Sequence, residues 1–554
     1  MRRKKFLLYG SLFYFAACFP GCSQKNTQTP AQQTYSLSFT VNGIYNGLSY
    51  TGISQRPEIR FSFTAAMESS AITTGISFRD AGGNPVPFTV SLLNSNTMAV
   101  LQPAGTLAGL TKYSLAVSAG LVSSGGARLV NPVSISLSTG IDSSDKFPRI
   151  SDSALLTLVE AQTFQYFWNF GHPVSGMARE RSSSQNTCAT GGTGFGIMSM
   201  LVAASRNFIS RTDALSRIQK ITDFLTSNCT RYHGAFAHWI DGSTGATIPF
   251  SSRDDGGDIV ETSYLMTGLL CARQYFNLSD PAETTLRTAI NNLWYGVDWN
   301  WYRQNDQQVL YWNWSPDYNW AVNVPVKGWN EALITYVLAA SSPSSPIPKS
   351  VYDSGWAQNG AIRNGNFYYG IQLPLGPALG GPLFFSQYSF MGINPHDLSD
   401  AYANYWSQDT AHTKINYAYC VSNPHQFYGY SSQCWGLTAS DEENGYSAHA
   451  PDNDDGVISP TAAIASMPYD PVASLRALKF FYYTLGDRLW GSNGFTDAFN
   501  LSGLWFDPDC LAIDQGPEIV MIENYRTGLL WNLFMSCPEV KTGMHNLGFQ
   551  SPNL

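Results

Sequence analysis

The sequence predicts a mainly α protein, a helical toroid of the (α/α)6 type preceded by a small β-sandwich. Three observations predict it. Hydrophobic periodicity changes near residue 143, from strand-like alternation over 35–143 to helical spacing over 144–554. At least nine segments then carry apolar residues at helical spacing. The loops between them are long and rich in Trp, Tyr and Gly, which suits a ring of helix hairpins around a funnel better than a plain bundle.

The 554-residue chain is too long for one compact core. Charged residues make up 13%, where about 25% is usual, and aromatics reach 14%. A net charge of −8 speaks against a nucleic-acid partner, because phosphate binding needs a basic surface. A neutral ligand is favoured, and the aromatic content suits sugar rings.

The first 22 residues read as a targeting segment. Arg2, Arg3, Lys4 and Lys5 precede an apolar run over 6–19, too short to remain as a spanning helix. Phe19-Pro20-Gly21-Cys22 resembles a bacterial lipobox, with Cys22 as the lipidated residue and 23–34 as a polar tether; an ordinary secretory signal is the alternative. The expectation is an outer-membrane lipoprotein, periplasmic or at the cell surface, monomeric, with the anchor as its membrane contact. Seven cysteines follow Cys22, an odd number without C-x-x-C, which argues against a disulfide scaffold or a zinc site. In an oxidising compartment Cys420 and Cys434 are candidates to pair across a loop.

Over 35–143, runs such as Glu58-Ile-Arg-Phe-Ser-Phe63, Phe88-Thr-Val-Ser-Leu92 and Tyr113-Ser-Leu-Ala-Val117 alternate apolar and polar residues between turn clusters. Pro57 to Phe63, Leu101-Gln-Pro103 and Thr111-Lys-Tyr113 resemble bacterial Ig-like domains. No cluster of titratable groups lies here, so a spacer or docking role is expected.

The helical spacing predicts helices over 154–170, 197–208, 214–226, 263–276, 283–301, 331–340, 398–412, 471–485 and 516–535. The stretch Arg253-Asp-Asp-Gly-Gly-Asp-Ile-Val-Glu261 places four carboxylates in eight residues at the mouth of a helix. Asp258 and Glu261 share a helix face, as paired acids for glycosidic hydrolysis require, although Asp-x-x-Glu is also a capping box. Thr187 to Gly196, which contains Thr193 and Phe195, is glycine-rich without a phosphate-loop spacing; it reads as close helix approach or as a thin loop lining a cleft. Trp312, Trp314, Trp320 and Trp329 fall within eighteen residues and are expected to form sugar subsites. A second acidic region holds Asp441 and His449. Its run Asp452 to Gly456 is half a calcium loop, with Ala463 where the bidentate Glu belongs, so neither metal nor cofactor is expected. Asp514 stands just before Gly-Pro, where a helix cap is an equal reading.

Ala189-Thr-Gly-Gly-Thr-Gly-Phe-Gly196, Asp254-x3-Asp258-Ile-Val-Glu261-Thr262, Gly328-Trp-Asn-Glu331, Asp514-Gln-Gly-Pro517 and Glu523-Asn-Tyr-Arg526 together resemble glycoside hydrolase family 144, bacterial β-1,2-glucan hydrolases often labelled "putative glucoamylase". The resemblance covers nearly all of 150–550. It implies an (α/α)6 barrel that cleaves β-1,2-glucosidic bonds with inversion, endo-acting or disaccharide-releasing, without a cofactor. It implies Glu331 as general acid and, by approximate position, Asp514 as the group that activates water. Asp254, Asp258 and Glu261 would line the central subsites, with Arg253 beside them. Two alternatives stay open from sequence: an exo-acting, glucoamylase-like enzyme on another glucan, and a surface glycan-binding lipoprotein without catalysis.

Overall fold

A computed structural model describes residues 32–554; the targeting segment, Cys22 and most of the expected tether lie outside the described residues. These residues form two compact units that divide between Gly140 and Ile141.

The first unit contains two four-stranded sheets around one apolar core. One sheet orders Leu37–Val41, Ile59–Phe63, Met98–Pro103 and Phe88–Leu93; the other orders Ser49–Ile53, Val133–Thr139, Lys112–Val117 and Ile76–Asp80, with its first pair parallel. Period-two alternation decides which side chains turn inward. Ile59, Phe61 and Phe63 are buried, and Phe61 sits opposite Phe39 on one neighbour and Ala99 on the other.

The second unit is helical. Its principal helices are α1 (Asp152–Trp168), α2 (Thr190–Ser205), α3 (Arg211–Ser227), α4 (Ile259–Tyr275), α5 (Pro281–Tyr295), α6 (Leu333–Ser341), α7 (Tyr405–Ser422), α8 (Pro460–Ala465), α9 (Pro471–Lys479), α10 (Ala512–Thr527), α11 (Leu529–Met535) and α12 (Pro538–Leu547). They fall into two kinds. Helices α2, α4, α6, α8 and most of α10 are buried on every side, as an inner layer must be, whereas α3, α5, α9 and α12 bury one stripe. Inner helices pack in the succession α8, α10, α2, α4, α6, and α1, α9 and α12 cover them from outside.

Three departures from the sequence reading have physical causes. The glycine-rich run 190–196 is the first half of α2, not a loop. A Cβ at Gly194 would lie 2.2 Å from the Tyr264 carbonyl oxygen, and one at Gly268 would lie 2.2 Å from that of Gly194, so glycine lets α2 and α4 touch backbone to backbone. The helix expected over 331–340 begins at Leu333, leaving Glu331 in the turn before it. The segment 516–535 is two helices, broken at Gly528, whose φ of 72° ends α10 in a left-handed cap. Cys420 and Cys434 are both buried free thiols, as are most of the other described cysteines. Each lies in apolar surroundings that hold the thiol protonated, and no disulfide joins them.

Candidate active site

A cavity of about 430 Å3 opens at the N-terminal ends of the inner helices. Its wall carries Glu261, Glu331, Glu180, Arg181 and His238 beside the aromatic rings of Trp312, Tyr264, Tyr388 and Tyr446.

The acids reach the wall through a chain of local causes. Asp258 adopts extended backbone and caps α4, its Oδ1 accepting the N–H groups of Val260 and Glu261 at 2.9 Å each. Its Oδ2 accepts Trp312 Nε1–H at 3.2 Å and pairs with His238 Nδ1 at 2.9 Å. Fully buried and engaged at both oxygens, Asp258 has no free face toward a ligand. This corrects the expectation that it joins the reacting acids: it anchors His238 and Trp312, which do line the cavity. Burial disfavours charge on His238, but Glu261, Asp258 and Asp254 outweigh it and raise the imidazole to about 9, so it is a cation at neutral pH.

One turn into α4, Glu261 accepts the N–H of Gly191, at the start of α2, at 2.7 Å. A Cβ at Gly191 would come within 2.7 Å of that same carboxylate, so glycine is what admits it. Burial raises the Glu261 pKa, His238 opposes the rise, and Asp258 adds to it. Glu331, also on the wall, is held by its backbone carbonyl, which accepts hydrogen bonds from Ser389 Oγ and from Tyr264 Oη. Burial pushes its carboxyl from the ordinary 4.5 up to about 7; its own backbone N–H pulls down, and the carboxylates of Glu261 and Asp258 push up. Tyr388 is buried on the same wall, and its hydroxyl has no partner.

Asp514 lies in the first turn of α10, 4% exposed, next in sequence to wall residue Ile513 and in side-chain contact with Asp497, but is not itself part of the wall. Its Oδ2 has no hydrogen-bond partner. Burial raises its pKa, contact with Asp497 opposes, and Asp441 and Asp507 add to the rise.

The other expected site residues separate into near and far. Asp254 is partly buried behind Asp258, raised to about 6 by burial and by that neighbour. Asp441 is pinned by Arg181 Nη1 at 2.7 Å, behind the wall. His449 is fully buried next to wall residue Ala448, and both ring nitrogens lack partners. Arg253 is exposed and outside the cavity wall. Several of the expected contacts are corrected. Thr193 is buried in α2, donating to the Ala189 carbonyl at 2.7 Å and accepting from Ala178 N–H at 3.1 Å. Phe195 packs on Tyr264 and Tyr388 as their backing. Trp329 is 5% exposed and packs against Trp356, Phe390 and Tyr405. Trp314 and Trp320 gather around Trp301, away from the cavity. Of the four indoles, Trp312 is the one on the wall.

His238, Arg181, Tyr388 and Tyr446 escaped the sequence reading. The first three stand in loops or turns and Tyr446 on a short hairpin strand, and only the fold brings them together. Glu523 and Arg526 serve the frame: Arg526 Nη1 reaches buried Glu160 at 2.6 Å and Glu523 pairs with Arg206 at 2.6 Å, tying α1, α2 and α10.

Residues 323–538 match the family model described as "Putative glucoamylase", and 30–139 match "Bacterial Ig-like domain". The exo β-1,2-glucooligosaccharide sophorohydrolase (non-reducing end) of Parabacteroides distasonis is 45% identical over 420 residues, covering 72% of this chain; the chain spans 58% of that relative's length. The crystal structure of a putative glucoamylase from Bacteroides uniformis matches with 55% identity and a TM-score of 0.73, over 74% of this chain and 100% of that one. The endo-β-1,2-glucanase of Chitinophaga pinensis, in complex with sophorotriose and glucose, matches with 49% identity and a TM-score of 0.72, over 73% of this chain and 100% of that one.

Proposed function

From the premise that the chain belongs to glycoside hydrolase family 144, the family described as "Putative glucoamylase", we propose that it hydrolyses β-1,2-glucan. The observation that carries the reading is Glu331: a carboxyl on the wall of an aromatic cavity, raised by burial to about 7, with a second acid, Glu261, lining the same cavity. A protonated carboxyl is what the leaving glycosidic oxygen needs. The similarity to a sophorohydrolase and to an endo-glucanase supports the linkage and leaves both cleavage modes in play.

Inversion is the mechanism proposed. Glu331 delivers its proton to the bridging oxygen, a water attacks the anomeric carbon from the opposite face, and Asp514 takes the proton that the water gives up. One C–O bond breaks as one forms, and no covalent enzyme intermediate is needed; the acid and base in such enzymes stand about 6.5–9.5 Å apart. Trp312 offers a ring face for one glucose unit, and the His238 cation tempers the charge of Glu261. The inner and outer helices support an (α/α)6 ring around the cavity, as their packing order suggests.

Lipid anchoring through Cys22 and an outer-membrane location belong to the same proposal and rest on the basic and apolar N-terminal pattern. Among the described residues, no helix is long and apolar enough to cross a membrane. The test of function is product chromatography on linear β-1,2-glucan and, in parallel, on starch. Release of β-1,2-linked oligosaccharides by the wild type and not by Glu331→Gln is expected. Cleavage of starch alone would favour the glucoamylase-like alternative, and binding without release of sugar the non-catalytic one.

A further inference from the structure

Behind the cavity, Asp441, on a strand of one hairpin, meets Asp497 and Asp507, on the two flanks of another, with carboxylate oxygens within 4.8 Å of one another. They are 8%, 0% and 5% exposed. Each spends one oxygen on fixing its own position. Asp441 Oδ2 accepts Arg181 Nη1–H at 2.7 Å, Asp497 Oδ2 accepts the Asp441 N–H at 2.7 Å, and Asp507 Oδ1 accepts the Asp509 N–H at 3.1 Å. What remains is unusual: Asp497 Oδ1 and Asp507 Oδ2 are buried and receive no N–H or hydroxyl donor, facing instead the side chains of Asp514 and Asp441.

Carboxylate oxygens that face one another in a buried place repel unless a proton or a cation stands between them. The one guanidinium at the cluster, Arg181, is shared with Glu180. Three carboxylates and a neighbouring Asp514 therefore face one half-committed cation. Oxygens alone, with no nitrogen or sulfur donor, suit a hard ion. Calcium takes oxygens at about 2.3–2.6 Å, so ligands on opposite sides of it stand up to about 5 Å apart. The cluster has that span.

We propose that Asp441, Asp497 and Asp507 bind a divalent cation of the calcium class, with backbone carbonyls or waters completing its shell. The site differs from the Asp452–Gly456 run, and nothing in the hydrolase reading requires it. A bound ion ties the 439–448 hairpin, which carries Tyr446 of the cavity wall, to both flanks of the 499–506 hairpin, where Asp497 touches Asp514.

The experiment uses the whole mature protein, dialysed against EDTA and then titrated with calcium chloride or, in a parallel arm, magnesium chloride. Metal content after desalting and the thermal unfolding midpoint are read. The expected result is about one ion per chain and a rise in midpoint with calcium larger than with magnesium. Asp507→Asn should lose both, and Asp441→Asn serves if that variant does not fold. Asp455→Asn, on the more exposed Glu442–His449–Asp455 group, should keep both. Identical unfolding with EDTA and with calcium, and no retained metal, would overturn the proposal and leave the cluster held by protons. A calcium-dependent rise that survives in Asp507→Asn would overturn it as well, because the ion would then sit elsewhere.

Discussion

The two units bury different kinds of atoms. In the β unit, the buried polar residues among those described are Ser123 and Thr139, neither of which ionises in the ordinary range. The helical unit buries Glu160, Asp258, Glu261, Glu283, Asp409, Asp441, Asp497, Asp507, Asp514, Glu518 and Glu523. A domain that only has to fold avoids such groups, since each costs desolvation. The helical unit carries that cost and meets it in two ways: arginine pairs in the frame around Glu160, and unusually protonated carboxyls at the cavity. Buried acid without a paired base therefore separates the working unit from the one that supports or docks.

If that contrast holds, turnover should respond steeply to changes in the helical unit and barely to changes in the other. Glu331→Gln is expected to lower turnover on β-1,2-glucan by about 10^3-fold, as loss of a general acid does, with sugar binding retained; steady-state kinetics and calorimetric titration check this. Trp312→Ala removes a ring face and one of the bonds to Asp258, and should weaken substrate binding by about tenfold, read in KM more than in kcat. The pH profile comes next. Because Glu331 acts while protonated and Asp514 while ionised, and burial raises both to about 7, kcat/KM should peak near pH 7 and fall on either side of it. The stability sign follows from the same shift. A carboxyl raised above 4.5 in the folded state loses stability as pH rises from 4.5 to 7, so Glu331→Gln should be more heat-stable than wild type above pH 7 and equal to it below 4.5. The smallest effect on turnover is expected from Phe61→Ala in the β unit. It should cost that unit about 3–5 kcal/mol of stability and change turnover by less than about twofold, a comparison made by scanning calorimetry alongside kinetics.

Periodicity made α3, α5 and α9 legible, because their spacing reports one buried stripe, while α12, with a similar stripe over only ten residues, went unseen. The inner helices were harder, since a helix buried all round has no stripe to read. That is why the glycine-rich start of α2 reads as loop and α8 goes unseen. At the site, Glu331 and Glu261 were accessible to reading because acids beside apolar runs demand a reason. Trp329, Phe195 and Thr193 misled because composition says a ring or hydroxyl is present without saying which way it faces. His238 and Arg181 carry no local pattern at all; their roles arise from Asp258 and Asp441, residues brought to them across 20 and 260 positions of chain.

Gly194 and Gly268 leave no room between α2 and α4 for even a methyl group. The N–H of Gly191 and the carboxylate of Glu261 are thus bolted to a single block, and catalysis there has no slack to exploit. Whatever yields to admit a polymer must be the outer lip, where Tyr446 and Phe250 are 48% and 47% exposed. Laboratory evolution toward other chain lengths should find its tolerated changes at that lip and almost none in the bedplate beneath.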